Sequence, residues 1–156
     1  MNDWSPEAKH EARLGAVQAL YQMEVSEIGD EAVILEFEEH RFGQSPDGVK
    51  TIQADRRHFE RIVRGVIVRQ SEIDREVNAV LKAGWSLDRL DATVRAIMRA
   101  GTFELLACDD IPPRVILNEY IEIAHAFFSG DEPGFINGVL DQIARRSRDL
   151  APAPPE

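Results

Sequence analysis

The chain has a single cysteine, Cys108, among 156 residues. One thiol cannot close an internal disulfide, and a chain of this length can bury enough surface to fold without covalent staples. The sequence therefore predicts no disulfide framework, reads Cys108 as a small buried apolar residue, and fits a reducing compartment, the cytoplasm. Long apolar runs are missing too. No segment approaches the roughly 20 apolar residues that cross a bilayer, and the opening MNDWSPEAKHEA lacks the apolar core of a secretion signal. A soluble protein with no membrane partner is expected. Strand signals are nearly absent: there is no sustained two-residue alternation and no Asn-Gly or Asp-Gly turn between β-branched runs. The histidines, at positions 10, 40, 58 and 125, are far apart, with no cysteine or carboxylate at metal-ligand spacing. No glycine-rich phosphate loop and no GxSxG elbow occurs. Asp109 and Asp110 read as the solvated start of a turn. Neither a metal, a cofactor nor a catalytic constellation is expected.

Positive charge is also scarce, with 18 Lys and Arg against 28 Asp and Glu and a formal net charge of -10. That balance argues against nonspecific polyanion binding, which depends on phosphate neutralisation, but leaves room for a local basic patch. The distribution is uneven. Residues 22–43 are rich in acids with Arg41 as the lone base, whereas arginines gather between Arg56 and Arg69, at Arg95 and Arg99, and at Arg145, Arg146 and Arg148.

Helical periodicity fills the chain. Ser5 and Pro6 make a cap and first turn for a helix over about 6–27, with Leu14, Val17, Leu20 and Tyr21 on its inner side. A short acidic helix follows over about 30–42, anchored by Val33 and Phe37, and then an irregular connection, GQSPDGVKTIQA. From Asp55 to Gly84 the apolar pattern admits one long helix or two broken near Gln70 and Ser71. Ser86 is read as the cap of a helix whose stripe runs through Leu90, Val94, Ile97, Met98, Gly101 and Leu105, with Arg95 and Arg99 on the flank. Pro113 and Arg114 start a helix apolar over more than half its circumference, expected to be packed on several sides, with a narrow polar face of Asn118, Glu119 and Glu122. The last helix covers about 134–148. Together these predict an all-α fold: residues 1–150 as one compact domain of about six to seven helices, in two small subdomains of about 5–84 and 85–148, with 149–156 as a Pro-rich mobile tail.

Two helices carry candidate binding residues. At 100° per residue, His10, Arg13, Val17 and Tyr21 fall on one side of the first helix with Lys9 beside them. That geometry fits a phosphate backbone and an unstacked base at the rim of a bundle, but taken alone it favours a snorkelling basic turn above a core tyrosine. On the last helix the apolar stripe is Ile136, Val139, Leu140 and Ile143. Phe135 lies about 90° away, on a flank shared with Gly138, Arg145 and Arg146. Base stacking beside arginines and a ring folded back on the core are both open readings. Gly138 costs about 1 kcal/mol of helix propensity relative to alanine, which predicts another backbone packed close by.

Three segments, ARLGAVQALYQ, FELLACDDIPPRVILNEYIEIAHAFF and PGFINGVLD, resemble in order and spacing the hallmark segments of the NusB family of bacterial transcription antitermination factors. The similarity covers about residues 8–145. It implies an all-α protein of two helical subdomains that is not an enzyme. Such a protein would bind the boxA element of nascent ribosomal RNA transcripts together with the ribosomal protein NusE, and act on RNA polymerase with NusA and NusG. Carried over by position, the family's arginine-rich turn falls on Lys9, His10, Glu11 and Arg13, its helix-1 tyrosine on Tyr21, and its basic pair on Arg95 and Arg99. The aspartate and phenylalanine near its last helix fall on Asp131 and Phe135. Glu11 and Gly134 stand where relatives commonly carry cations, which implies heavier reliance on NusE. Lys9, Arg13, Arg95 and Arg99 are thus expected at phosphates, Tyr21 and Phe135 on bases, and Asp131 on a base donor or holding its turn. The acidic face of Asn118, Glu119 and Glu122 is the expected NusE surface, since ribosomal proteins are usually basic. The alternatives are a protein-only adaptor or homodimer without RNA contact, and the N-terminal module of a ribosomal RNA cytosine methyltransferase.

Overall fold

Ser5 Oγ accepts the Ala8 amide at 3.0 Å and Pro6 occupies the first turn, so helix α1 starts where its cap and its proline dictate and runs Pro6–Ser26. It ends at Glu27, whose backbone is left-handed with φ 55. The computed structural model describes residues 5–40, 42 and 54–148, and the described residues form seven α-helices and no strand. The expected tail, 149–156, and most of the irregular connection lie outside them.

The chain divides into two compact units between Val68 and Arg69. The first holds α1, α2 (Asp30–His40) and α3 (Arg56–Val68). Its centre is a ring cluster: Phe37 stacks on Phe59 with centroids 5.4 Å apart, and Phe42 meets Phe59 edge-on at 4.8 Å. The side of α1 turned to the core is the expected one only in part, at Val17 and Leu20. Leu14 is only half-buried and Tyr21 is exposed, while Ala8, Ala12, Gly15, Ala16 and Ala19 are buried with Val17 and Leu20. Small residues are needed there because the rings come so close: a Cβ on Gly15 would sit 2.8 Å from Cζ of Phe42. The acidic helix α2 is balanced internally, with Glu31 bound to Arg64 of α3 and Glu36 accepting from Gln22 of α1 at 3.0 Å.

The second unit holds α4 (Gln70–Val80), a 3-10 turn (Leu87–Arg89), α5 (Ala92–Ala107), α6 (Pro113–Phe127) and α7 (Glu132–Ser147). The long pattern from Asp55 is therefore two helices, separated at Arg69. The boundary expected near residue 84 moves to 68/69, because Ile73 and Val77 are fully buried and α4 packs on α5 and α7. Ser86 is not the cap of α5. Asp91 is: its Oδ1 accepts the amides of Thr93 at 2.8 Å and Val94 at 3.3 Å. The residues between form the 3-10 turn, pinned by the buried Leu87 and by its amide donating to Asn78 Oδ1 at 2.8 Å.

Helix α5 is the axis of this unit, buried from Val94 to Leu105 on most of its positions. Gly101 lets its neighbours approach: a Cβ there would lie 2.9 Å from Cδ1 of Leu140 and 3.4 Å from the Tyr120 ring. Tyr120 donates its hydroxyl to the buried Glu104. Arg148 closes the carbonyl end of α5, donating to Leu105 O at 2.6 Å, Cys108 O at 2.8 Å, Ile111 O at 3.1 Å and Glu104 O at 3.2 Å. Helix α6 is less enclosed than its composition predicts. Ile116, Tyr120, Ile123 and Ala124 are buried, but Val115 and Phe127 are exposed, because its partners α5 and α7 cover one side of it.

Candidate functional site

In the first unit, Lys9 donates to Asp55 Oδ2 at 2.8 Å, and the Asp55 carboxylate is buried. Asp55 also accepts the His58 amide at 3.0 Å, which makes it the cap of α3. Burial alone would raise its pKa; the Lys9 ammonium and the His58 amide outweigh burial and hold the carboxyl below its usual range. Arg13 is 2 % exposed. A guanidinium at that depth belongs to the packing of the first unit. His10 is half-buried, and Tyr21 presents 41 % of its surface to solvent. Lys9 and Tyr21 are separated by about 18 Å along α1 at 1.5 Å per residue, so they could touch only different nucleotides of one strand.

In the second unit the two expected phosphate ligands of α5 are also engaged. Arg95 turns back over the 3-10 turn, donating to Leu90 O at 2.6 Å and Leu87 O at 3.2 Å. Arg99 grips Asp74 of α4 with both ends of its fork, at 2.9 and 3.0 Å. Both arginines hold elements of the unit together. Arg145 pairs with Asp141 at 2.9 Å and Arg146 approaches Glu76 at 3.9 Å. Neither belongs to the lining of the groove beside Phe135.

That groove, of about 760 Å³, lies wholly within the second unit. The segment from Val80 to Asp91 and the early turns of α7 both contribute to its lining. From α7 come Phe135, 41 % exposed, and the bare backbone at Gly134 and Gly138, with Asp131 just before the helix. From the other segment come Trp85, 57 % exposed, with Lys82 and Arg89. The ring of Phe135 is thus not folded back on the core. Asp131 precedes α7 but makes no capping bond with its side chain, which leaves the carboxylate as an acceptor at the groove. Gly138 has no backbone packed against it, contrary to expectation: a Cβ there would meet nothing within 4 Å. Its open side belongs to the groove.

Sequence reasoning brought Phe135 and Asp131 to one place but missed Trp85, Lys82 and Arg89. Among the described residues the Lys82 ammonium has no ion-pair or hydrogen-bond partner, and the Arg89 guanidinium has only a long bond of 3.4 Å to Gly84 O. On the outer side of α6, Asn118 and Glu122 are exposed and Glu119 is half-buried, beside the exposed Val115. Among the described residues no cluster of His, Cys, Asp or Glu could hold a metal ion, and no helix is long and apolar enough to cross a membrane.

The sequence pattern of the NusB family matches residues 10–145. The chain is 54% identical over 138 residues to the transcription antitermination protein NusB of Caulobacter vibrioides, covering 88% of this chain and 93% of that protein. It is 54% identical over 140 residues to the NusB of Agrobacterium fabrum, covering 90% and 85%. Among solved structures, T. maritima NusB superposes with a TM-score of 0.71 at 31% identity, covering 91% of this chain and 97% of that one. A crystal structure of antitermination factors NusB and NusE in complex with dsRNA shares the fold, with a TM-score of 0.75 at 21% identity and coverage of 90% and 98%. The matched span takes in most of α1, the groove and nearly all of α7, and on that extent of agreement the chain belongs to the NusB family.

Proposed function

We propose that this protein is a transcription antitermination factor that binds boxA RNA of ribosomal RNA transcripts together with NusE. It acts in the cytoplasm as a non-catalytic adaptor to RNA polymerase, alongside NusA and NusG. The NusB relatives that align over most of the chain support the class of activity. The observation that carries RNA contact is the groove, where an exposed phenylalanine stands beside an uncapped aspartate on the surface of α7. A ring half open to solvent stacks on a base of any identity, and a carboxylate accepts from base amino or imino groups. Tyr21, in the first unit, offers a ring of its own on α1. Single-stranded RNA suits exposed rings, since its bases can be splayed out to reach them. The α6 residues Asn118, Glu119 and Glu122 serve as the NusE surface, the two glutamates complementing a basic ribosomal protein in charge.

Binding of labelled boxA and scrambled RNA, with and without NusE across a salt series, tests the reading. A preference for boxA that NusE strengthens is expected, and equal affinity for the two RNAs in the presence of NusE overturns it. Charge reversal at Glu119 and Glu122 should weaken NusE binding without altering the affinity of the protein alone for RNA.

The internal engagement of Lys9, Arg95 and Arg99 favours one other reading, a protein-only adaptor or homodimer. It predicts no salt-dependent RNA binding at all, and concentration-dependent self-association in its place.

A further inference from the structure

We infer that the turn between α4 and α5 forms a nucleotide-binding wall of the groove, with Trp85 as a second stacking ring and Lys82 and Arg89 as the cations that receive a phosphate. The inference rests on the RNA-binding reading above. It replaces the phosphate ligands that position alone would assign.

The argument begins with which cations are available. Lys9, Arg95, Arg99 and Arg145 each have a carboxylate or backbone carbonyls within hydrogen-bond distance. A phosphate reaching one of these must break an existing bond and leave its partner unsatisfied, which removes most of the gain. Lys82 carries no such cost, and Arg89 gives up only a single long bond of 3.4 Å to Gly84 O. Both are exposed, both line the groove, and neither is ion-paired.

The groove is polarised. Cations stand on the 82–89 segment, while Asp131 and Glu132 stand at the start of α7. Asp91 also lines it, but its carboxylate is held by the Thr93 and Val94 amides. A nucleotide is polarised in the same sense, with an anionic phosphate at one end and base-edge donors at the other. Placed with its phosphate at Lys82 and Arg89, a nucleotide offers its base to Trp85, Phe135 and the Asp131 carboxylate. Gly138 completes the site by leaving α7 without a side chain where the flat face of a base or ribose would lie. A helix-interior glycine that no protein atom crowds is accounted for by a ligand that does.

The test uses labelled boxA RNA with NusE present, over a salt series, with melting temperature as the fold control. Lys82→Gln and Arg89→Gln should each lower the slope of log K against log salt by about 0.7, the single-strand value for one lost phosphate contact. Trp85→Ala should weaken binding on the order of tenfold with the slope unchanged, as expected for lost stacking. Arg114→Gln, an exposed arginine of α6 outside the groove, should alter neither. Of the two tryptophans, Trp4→Phe leaves Trp85 as the sole emitter, and RNA should quench it. If Phe135→Ala weakens binding while Lys82→Gln and Arg89→Gln keep the parent slope and Trp85 is not quenched, the turn is no part of the site and the RNA-binding reading stands. If Phe135→Ala is also silent, the groove is not an RNA site and both fall.

Discussion

Lys9 and the His58 amide converge on a single buried carboxylate, Asp55, from α1 and from the first turn of α3 respectively. One side chain thus caps a helix and ties it to its neighbour. Because its folded pKa lies below the ordinary value of 3.8, the charged form is the one the fold favours. The contribution is fully present above that value and is lost as pH falls through the lower, folded value. Asp55→Asn keeps an acceptor for the cap and removes the ion pair, so the variant should melt several degrees lower at neutral pH, for a loss on the order of 1–3 kcal/mol. The two melting curves should converge at the acid end, once pH has fallen through the lowered folded value. A constant offset down to that pH would show that the charge is not responsible.

Glu38 behaves in the opposite way. A proton shared with Glu60, together with burial and repulsion between the two carboxylates, pushes its pKa from 4.5 to about 7, against the pull of Arg56 and Arg64. The folded state therefore holds a proton that the unfolded chain has released. Stability is highest below about pH 4.5 in this respect and falls as pH rises towards 7. Glu38→Gln removes the dependence, and its melting temperature relative to the parent should climb between about pH 5 and pH 8. A flat difference across that range contradicts the pairing.

Two glycines in helix interiors should respond oppositely to alanine. At Gly101 the new methyl meets Leu140 and Tyr120 in a closed core, and overpacking of about 1–3 kcal/mol exceeds the helix-propensity gain of about 1 kcal/mol. At Gly138 the methyl enters open space, so the propensity gain stands alone. Thermal melts of Gly101→Ala and Gly138→Ala should shift down and up respectively. A melt for Gly138→Ala below the parent would mean that the groove surface is packed after all.

Arg148→Ala leaves the carbonyls of Leu105, Cys108 and Ile111 without their guanidinium donor. A loss of about 1.5–3 kcal/mol is expected for bonds to a charged donor, read as a lower denaturation midpoint, with amide exchange quickened in the last turn of α5.

Much of the fold was legible because its signals are local. Ser5 with Pro6 and the Pro113 start marked helix ends correctly, and the stripe Ile136, Val139, Leu140, Ile143 is buried as its spacing demands. Phe135 lay off that stripe by angle, and the structure exposes it. What was not legible depends on partners distant in sequence. Nothing near Lys9 announces Asp55, and nothing near Arg99 announces Asp74, so the ion pairs that tie these helices together were not legible. The alanine-rich side of α1 could not be ranked by hydrophobicity, since it is selected by the rings of Phe37, Phe42 and Phe59 coming close. Trp85 escaped for another reason. It sits in a turn, where counting 100° per residue assigns no direction, and only the folded groove shows what it faces.

The Arg148 clasp has a consequence for a protein with no second thiol. By gripping carbonyls 37 to 44 residues earlier, it closes the polypeptide into a ring that contains all of α6 and α7. The closure narrows the excursions of that ring much as a crosslink does. Its bonds are made of protons and lone pairs, so reductants leave it intact and a transient opening can heal without an oxidant.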